Sequence, residues 1–175
     1  MLFRSCLEKI SFNEDGTIRQ AEMTSCGSVR PLRGEGWYPA YLACHLFTDT
    51  EVTYVPWSGW MDDRFPKITQ EITDGGRGMG YIANMRNSAT AGFRYFDCRN
   101  VKKIFIRTKG YANGKMEIRT AWDGEVLGEI PIGYANVWHD TEAEIAVPDG
   151  IQSLYFTYAG QGHLQFAGFA LSVRD

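Results

Sequence analysis

The sequence predicts an all-β protein, a β-sandwich that carries a β-hairpin at its N-terminus. Three observations predict it. Aromatic residues make up 14% of the 175 residues, and nineteen glycines stand against six prolines. Aromatic and β-branched side chains suit a pleated surface, and Gly suits tight turns. Turn signals recur along the chain at Asp15-Gly16, Asn113-Gly114, Asp123-Gly124, Asp149-Gly150 and Gly160-Gln161-Gly162, all residue types that tolerate positive φ. Several of the segments between them alternate apolar and polar residues with the period of two that marks a half-buried strand. No amphipathic helix longer than about two turns is evident.

The elements follow in order. Residues 6–12 and 17–23 flank Asp15-Gly16 and pair as a hairpin. Ser25 to Glu35 is rich in Gly and Ser and carries Pro31, a linker composition. The chain therefore divides into an appendage over residues 1–34 and a sandwich over residues 35–175. That division suits a length a little above the rough prior of ~150 residues per domain. Such a length buries about 70% of the unfolded surface and needs no disulfide staple. Residues 38–46 read as the first strand of the sandwich. Residues 49–79 form a long irregular stretch, a feature that is often functional in a compact domain. Residues 103–108 and 115–122 then alternate cleanly, with Trp122 on the apolar side and expected in the core. Residues 152–158 and 163–171 close the chain. Strands at this spacing, separated by turn signals, read as a sandwich.

Charge and composition exclude several classes. Eighteen basic and twenty-one acidic residues leave a net charge of −3 with no long block of either sign. A nucleic-acid partner, which would need a basic stripe, is not expected; Lys102-Lys103 with Arg107 and Lys109 reads as a solvated strand face. No run approaches the ~18 apolar residues of a membrane span, so no membrane partner is expected. Charge interrupts Met1–Lys9 too early for a signal-peptide core. As written the chain reads as cytoplasmic, and its true compartment stays open. Cys6, Cys26, Cys44 and Cys98 contain no C-x-x-C pair and read as buried thiols. A Cys6–Cys26 bridge across the hairpin is the minor alternative.

Catalytic chemistry finds little support. No Gly-x-Ser-x-Gly elbow is present, and His45, His139 and His163 have no nucleophile motif beside them. His139-Asp140 and Asp62-Asp63 lack metal-site spacing, and Gly75–Gly80 lacks the Lys-Ser/Thr ending of a phosphate loop. A glycosidase needs two carboxyl groups about 5–10 Å apart. Asp62, Asp63, Glu71 and Asp74 are the only cluster placed to meet, and they read as a solvated loop. Trp138 is more informative. It lies in the polar segment Tyr134–Asp140, and a ring beside amides suits a sugar. The ring stacks on the C–H-rich face while amides bond the hydroxyls. A half-buried loop anchor fits the same residues equally well, and Trp57 and Trp60 suit either role.

A family resemblance covers most of the chain. Gly80-Tyr81-Ile82-Ala83-Asn84, Ala91–Asp97, Lys103–Arg107, Gly114–Arg119, Val126–Pro131 and Gly162–Phe169 follow one another as in carbohydrate-binding modules of family 6. Residues 6–18 with Glu22-Met23-Thr24 look like the closing end of a family 43 glycoside hydrolase propeller. The resemblance implies a jelly-roll β-sandwich with a cleft among loops at one end, where two rings clamp a sugar and an amide bonds it. Trp138 matches the cleft tryptophan, and Gln165 stands where the family has Asn. Tyr81 or an aromatic of the 54–60 loop matches the second ring, and Asn136 adds an amide beside Trp138. The family's structural calcium is disfavoured: no Glu is evident in Ala43-Cys44-His45, and Ala167 replaces the last-strand Asp. No other cofactor is expected. The catalytic propeller is absent, so hydrolysis is not expected. The expected function is non-catalytic binding of xylan-type oligosaccharides for a xylosidase or arabinofuranosidase. The alternative is a structural sandwich that packs on a hydrolase domain, or on a second copy through the hairpin, without binding sugar.

Overall fold

The computed structural model describes residues 8–27, 31–49, 64–73 and 76–174. The described residues form ten strands: β1 (Leu32–Arg33), β2 (Gly36–Pro39), β3 (His45–Phe47), β4 (Lys67–Thr73), β5 (Gly76–Met85), β6 (Thr90–Cys98), β7 (Lys103–Arg119), β8 (Gly128–Ile132), β9 (Ala135–Glu144) and β10 (Gly150–Ser172). One turn of 3-10 helix, Ala40–Leu42, sits between β2 and β3.

Two long strands organise everything else. β7 and β10 pair antiparallel from Arg119 opposite Tyr155 to Lys103 opposite Ser172. Straight, the stretch of β10 from Phe156 to Phe169 would span about 43 Å at ~3.3 Å per residue. Their ring centroids are 4.6 Å apart. The ribbon therefore folds over on itself, and each strand contributes one half to each layer of a sandwich. β6 and β8 flank the half that carries Tyr155–Thr157 and Met116–Ile118. β5, β2 and β9 flank the other half. β4 extends that second layer beyond β5, while β1 and β3 lie along β6.

Between the layers sit Phe93, Phe96, Phe156, Phe166 and Phe169, with Ile104, Ile106, Met116 and Ile118 of β7, all fully buried. A register shift between Phe166 and Gly168 lets β10 point both Phe166 and Phe169 inward. Strict alternation would have sent one of them to solvent.

Several expectations change here. Asn113-Gly114 and Gly160-Gln161-Gly162 are not hairpin turns. They face each other inside the ribbon, Asn113 opposite Gln161 and Gly114 opposite Gly160. The reason is steric: where the ribbon folds, its two backbones approach too closely for side chains. A Cβ on Gly110 would lie 2.6 Å from the His163 carbonyl oxygen, and Gly110 and Gly162 hold φ of 145° and 77°. Residues 38–46 are not one strand. Pro39, with its φ of −66° and no N–H to donate, ends β2, and the 3-10 turn precedes β3. Part of the irregular 49–79 stretch is a strand pair, β4 with β5. Its alternation is masked by a register shift between Gln70 and Ile72. Trp57, Trp60, Asp62, Asp63 and Asp74 lie outside the described residues. Trp122 is 62% exposed rather than buried. β7 ends at Arg119, so Trp122 belongs to the turn in which the Gly124 N–H bonds the Ala121 carbonyl.

The N-terminal hairpin turns at Asp15-Gly16 as expected, with Gly16 at φ 82°. Among the described residues its ladder is a single bridge between Phe12 and Ile18. Residues beyond the turn dock on β6. Ser25 exchanges hydrogen bonds with the Arg94 backbone. The Glu22 carboxylate takes Arg94 Nη1 at 2.6 Å and the Tyr95 hydroxyl at 2.6 Å.

Candidate functional site

The outward face of the second layer gathers the singular side chains. Strand alternation puts them there. Tyr81 precedes buried Ile82 on β5, Gln165 lies between buried Leu164 and Phe166 on β10, and Lys109 follows buried Thr108 on β7. Gln165 stands directly across the ribbon from Lys109. On β9 the pairing runs Thr108–His139 and then Gly110–Ala135, so Asn136, Val137 and Trp138 share Lys109 as their opposite. That bulge re-aims Trp138, as bulges do near functional sites. The register shift around Glu71 on β4 does the same for its carboxylate.

These side chains meet. The Trp138 and Tyr81 rings stand edge to face, 5.5 Å between centroids at 66°. Trp138 Nε1 donates to Glu71 Oε1 at 3.1 Å, and Lys109 Nζ donates to the same oxygen at 2.7 Å. Lys109 Nζ also lies 4.7 Å from the Trp138 ring centroid, a cation–π contact. The Lys109 hydrogen bond, aided by that of Trp138, holds the Glu71 carboxyl below its ordinary value. Gln165 Oε1 is buried with no hydrogen-bond partner. Leaving such an acceptor unmatched costs about 1–3 kcal/mol.

Of the four residues singled out from the sequence, Trp138 and Tyr81 are in contact and Gln165 lies on the same face. Asn136 is exposed on the β9 bulge. The setting differs from the expected one: Trp138 and Tyr81 project from strands rather than loops, and their rings touch instead of standing apart as an open clamp. Sequence reasoning placed Glu71 among solvated loop carboxylates and Lys109 on a solvated strand face. Both are half-buried and ion-paired, with side-chain exposures of 31% and 25%. No local signal links them, because they lie 38 residues apart in the chain.

Other chemistry is sparse among the described residues. No three His, Cys, Asp or Glu side chains are grouped to hold a metal. Calcium takes six to eight oxygens, and the positions implied for it carry Ala43, Cys44, His45 and Ala167, so that donor set does not fit. Cys26, Cys44 and Cys98 are free thiols; burial pushes Cys98 up to about 11. Cys6, and with it the considered Cys6–Cys26 bridge, lies outside the described residues. A cavity of about 540 Å³ lies away from the rings, lined in part by Val101, Leu127, Ile145 and Val147. It offers no aromatic platform.

Comparison with known proteins agrees on the architecture. No family model matches the sequence. A xylosidase/arabinosidase of Thermoclostridium stercorarium is 52% identical over 170 residues, covering 96% of this chain and 36% of the relative. The chain thus spans about a third of that protein's length. A family 6 carbohydrate-binding module from Clostridium stercorarium, solved with cellobiose, superposes with a TM-score of 0.61 at 16% identity over 83% of this chain and 98% of the module. A β-1,3-glucan-binding family 6 module from Bacillus halodurans gives 0.63 at 14% identity over 81% and 98%. A family 43 arabinoxylan arabinofuranohydrolase from Bacillus subtilis, solved with cellotetraose, gives 0.62 at 16% identity over 95% of this chain and 33% of the enzyme. The shared fold is the β-sandwich of the binding modules.

Proposed function

We propose that this chain, a β-sandwich with the fold of family 6 carbohydrate-binding modules and 52% identical to one stretch of a xylosidase/arabinosidase, is a non-catalytic sugar-binding module. Xylan-type oligosaccharide is the ligand class the relative suggests. One observation carries the reading: two touching rings, Trp138 and Tyr81, share a sheet face with the unpartnered Gln165 carbonyl oxygen. A pyranose stacks its C–H face on a ring while its hydroxyls bond amides and a carboxylate. Lys109 already covers one face of Trp138 and Glu71 fixes its edge, so the sugar takes the remaining face and parts Tyr81 from it. Hydroxyls then reach the exposed Asn136, and Gln165 once its side chain turns outward. The reading requires no metal or cofactor. Affinity is modest, since one small platform offsets little of the entropy lost on association.

The test is calorimetric titration with xylo- and cello-oligosaccharides, wild type beside Trp138→Ala. Saturable binding weakened more than about tenfold in the variant supports the reading. Equal affinity of the two proteins removes Trp138 from the site.

A second reading rests on the hairpin. Ile10, Phe12, Ile18 and Met23 are each more than half exposed, which suits a face covered by a hydrolase domain or by a second copy of the chain. Sedimentation decides between them. A concentration-dependent dimer abolished by Phe12→Ser/Ile18→Ser supports self-association, and a monomer at every concentration rejects it.

A further inference from the structure

We propose that Tyr111 and Tyr134 form a second sugar subsite continuous with the Trp138–Tyr81 face, so that the ligand is a chain of several sugar units rather than a single terminal one. This rests on the sugar-binding reading above.

The two tyrosines are among the most exposed large side chains, at 67% and 60%. Their ring centroids are 5.0 Å apart at 54°. The Tyr111 hydroxyl beside it raises the Tyr134 hydroxyl above its ordinary value. Two rings held together at the surface, off the core, form a platform on which a sugar can stack.

Their position says what the occupant is. Tyr111 follows Lys109 by two residues on the outward side of β7, about 7 Å along the strand. It stands opposite His163, as Lys109 stands opposite Gln165. Tyr134 immediately precedes Ala135, which pairs with Gly110. Between the two ring pairs lie Lys109 and the exposed Asn136 and Val137, so a chain crossing from one pair to the other passes over these side chains. Amides flank the second pair as they do the first. Asn113 and Gln161 face each other across the ribbon, Asn136 lies between Tyr134 and Trp138, and all three are exposed. Uncharged rings and amides recognise hydroxyls and C–H faces, not phosphates or carboxylates. The ligand class is therefore a neutral glycan chain.

The experiment is calorimetry with xylose to xylohexaose and glucose to cellohexaose. It compares wild type, Tyr111→Ala/Tyr134→Ala, Tyr111→Phe/Tyr134→Phe and Trp138→Ala. Wild-type affinity should rise with chain length. The double alanine variant should bind xylobiose as wild type does and lose the rise, ending about tenfold weaker for the longest chain. The double phenylalanine variant, which keeps the rings, should retain most of it. An alanine variant that tracks wild type at every length overturns the proposal. So does one that weakens xylobiose as much as xylohexaose, since that makes the pair a support of the first site. If wild type binds no oligosaccharide in either series, the sugar-binding reading itself falls, an outcome distinct from wild-type binding that does not vary with length.

Discussion

Trp138 is held by three contacts of different character: a hydrogen bond at its edge, a cation over its face and a ring against its side. Glu71 links the first two, because one of its oxygens accepts from both Trp138 and Lys109. Its carboxyl titrates below the ordinary 4.5. A lowered folded value means that the contribution is present above pH 4.5 and is lost as pH falls through the lowered value. Tryptophan emission should hold steady from neutral pH down to about that point and then change, and Glu71→Gln should remove the change. Gln165 has the opposite profile. Gln165→Leu removes a buried acceptor that has no donor, so thermal stability should hold or rise by about 1 kcal/mol while sugar affinity falls. A drop in stability would mean that the amide is satisfied in solution. Trp138 stands out in the sequence as a ring in a polar segment, whereas Tyr81 and Gln165 are singled out only by the family resemblance; the fold puts all three on one sheet face. Glu71 and Lys109 were not legible. What distinguishes them is a partner far along the chain, and a charged residue on a strand looks the same in sequence whether it is solvated or paired.

Among the elements, the folded β7–β10 ribbon sets the layers. Gly162 combines φ 77° with a backbone so close that an added Cβ would collide with the Tyr111 carbonyl. Gly162→Ala should cost about 2–3 kcal/mol or more, read as a fall in melting temperature. Gly133→Ala, where a Cβ would meet nothing within 4 Å, is the control. The period of two along Lys103–Thr108 and Lys115–Arg119 identified strands correctly. It did not show that they are one strand. Gly and Asn serve hairpin turns and close backbone crossings alike, and only the pairing of Asn113 with Gln161 separates the two uses. Glu71 and the β9 bulge obscured the site's own strands in the same way, since a bulge breaks the alternation that reveals a strand.

For the whole molecule, the described part of the hairpin is tied to the sandwich by Glu22 and Ser25, which bond Arg94 and Tyr95, while Ile10, Phe12, Ile18 and Met23 stay outside. Glu22→Ala should leave the sandwich melting temperature within about 0.5 kcal/mol-equivalent of wild type. It should also speed protease cleavage within residues 8–27. Unchanged cleavage would show that Ser25 alone suffices. The doubled ribbon has a further consequence for how the molecule breathes. Because β7 and β10 run through both layers, the ladder they share cannot be released in one layer alone. Amide protons of Ile106 in one layer and Ile118 in the other should therefore exchange with solvent at nearly the same free energy, that of global opening. A sugar held on one face would then slow exchange on the face it never touches.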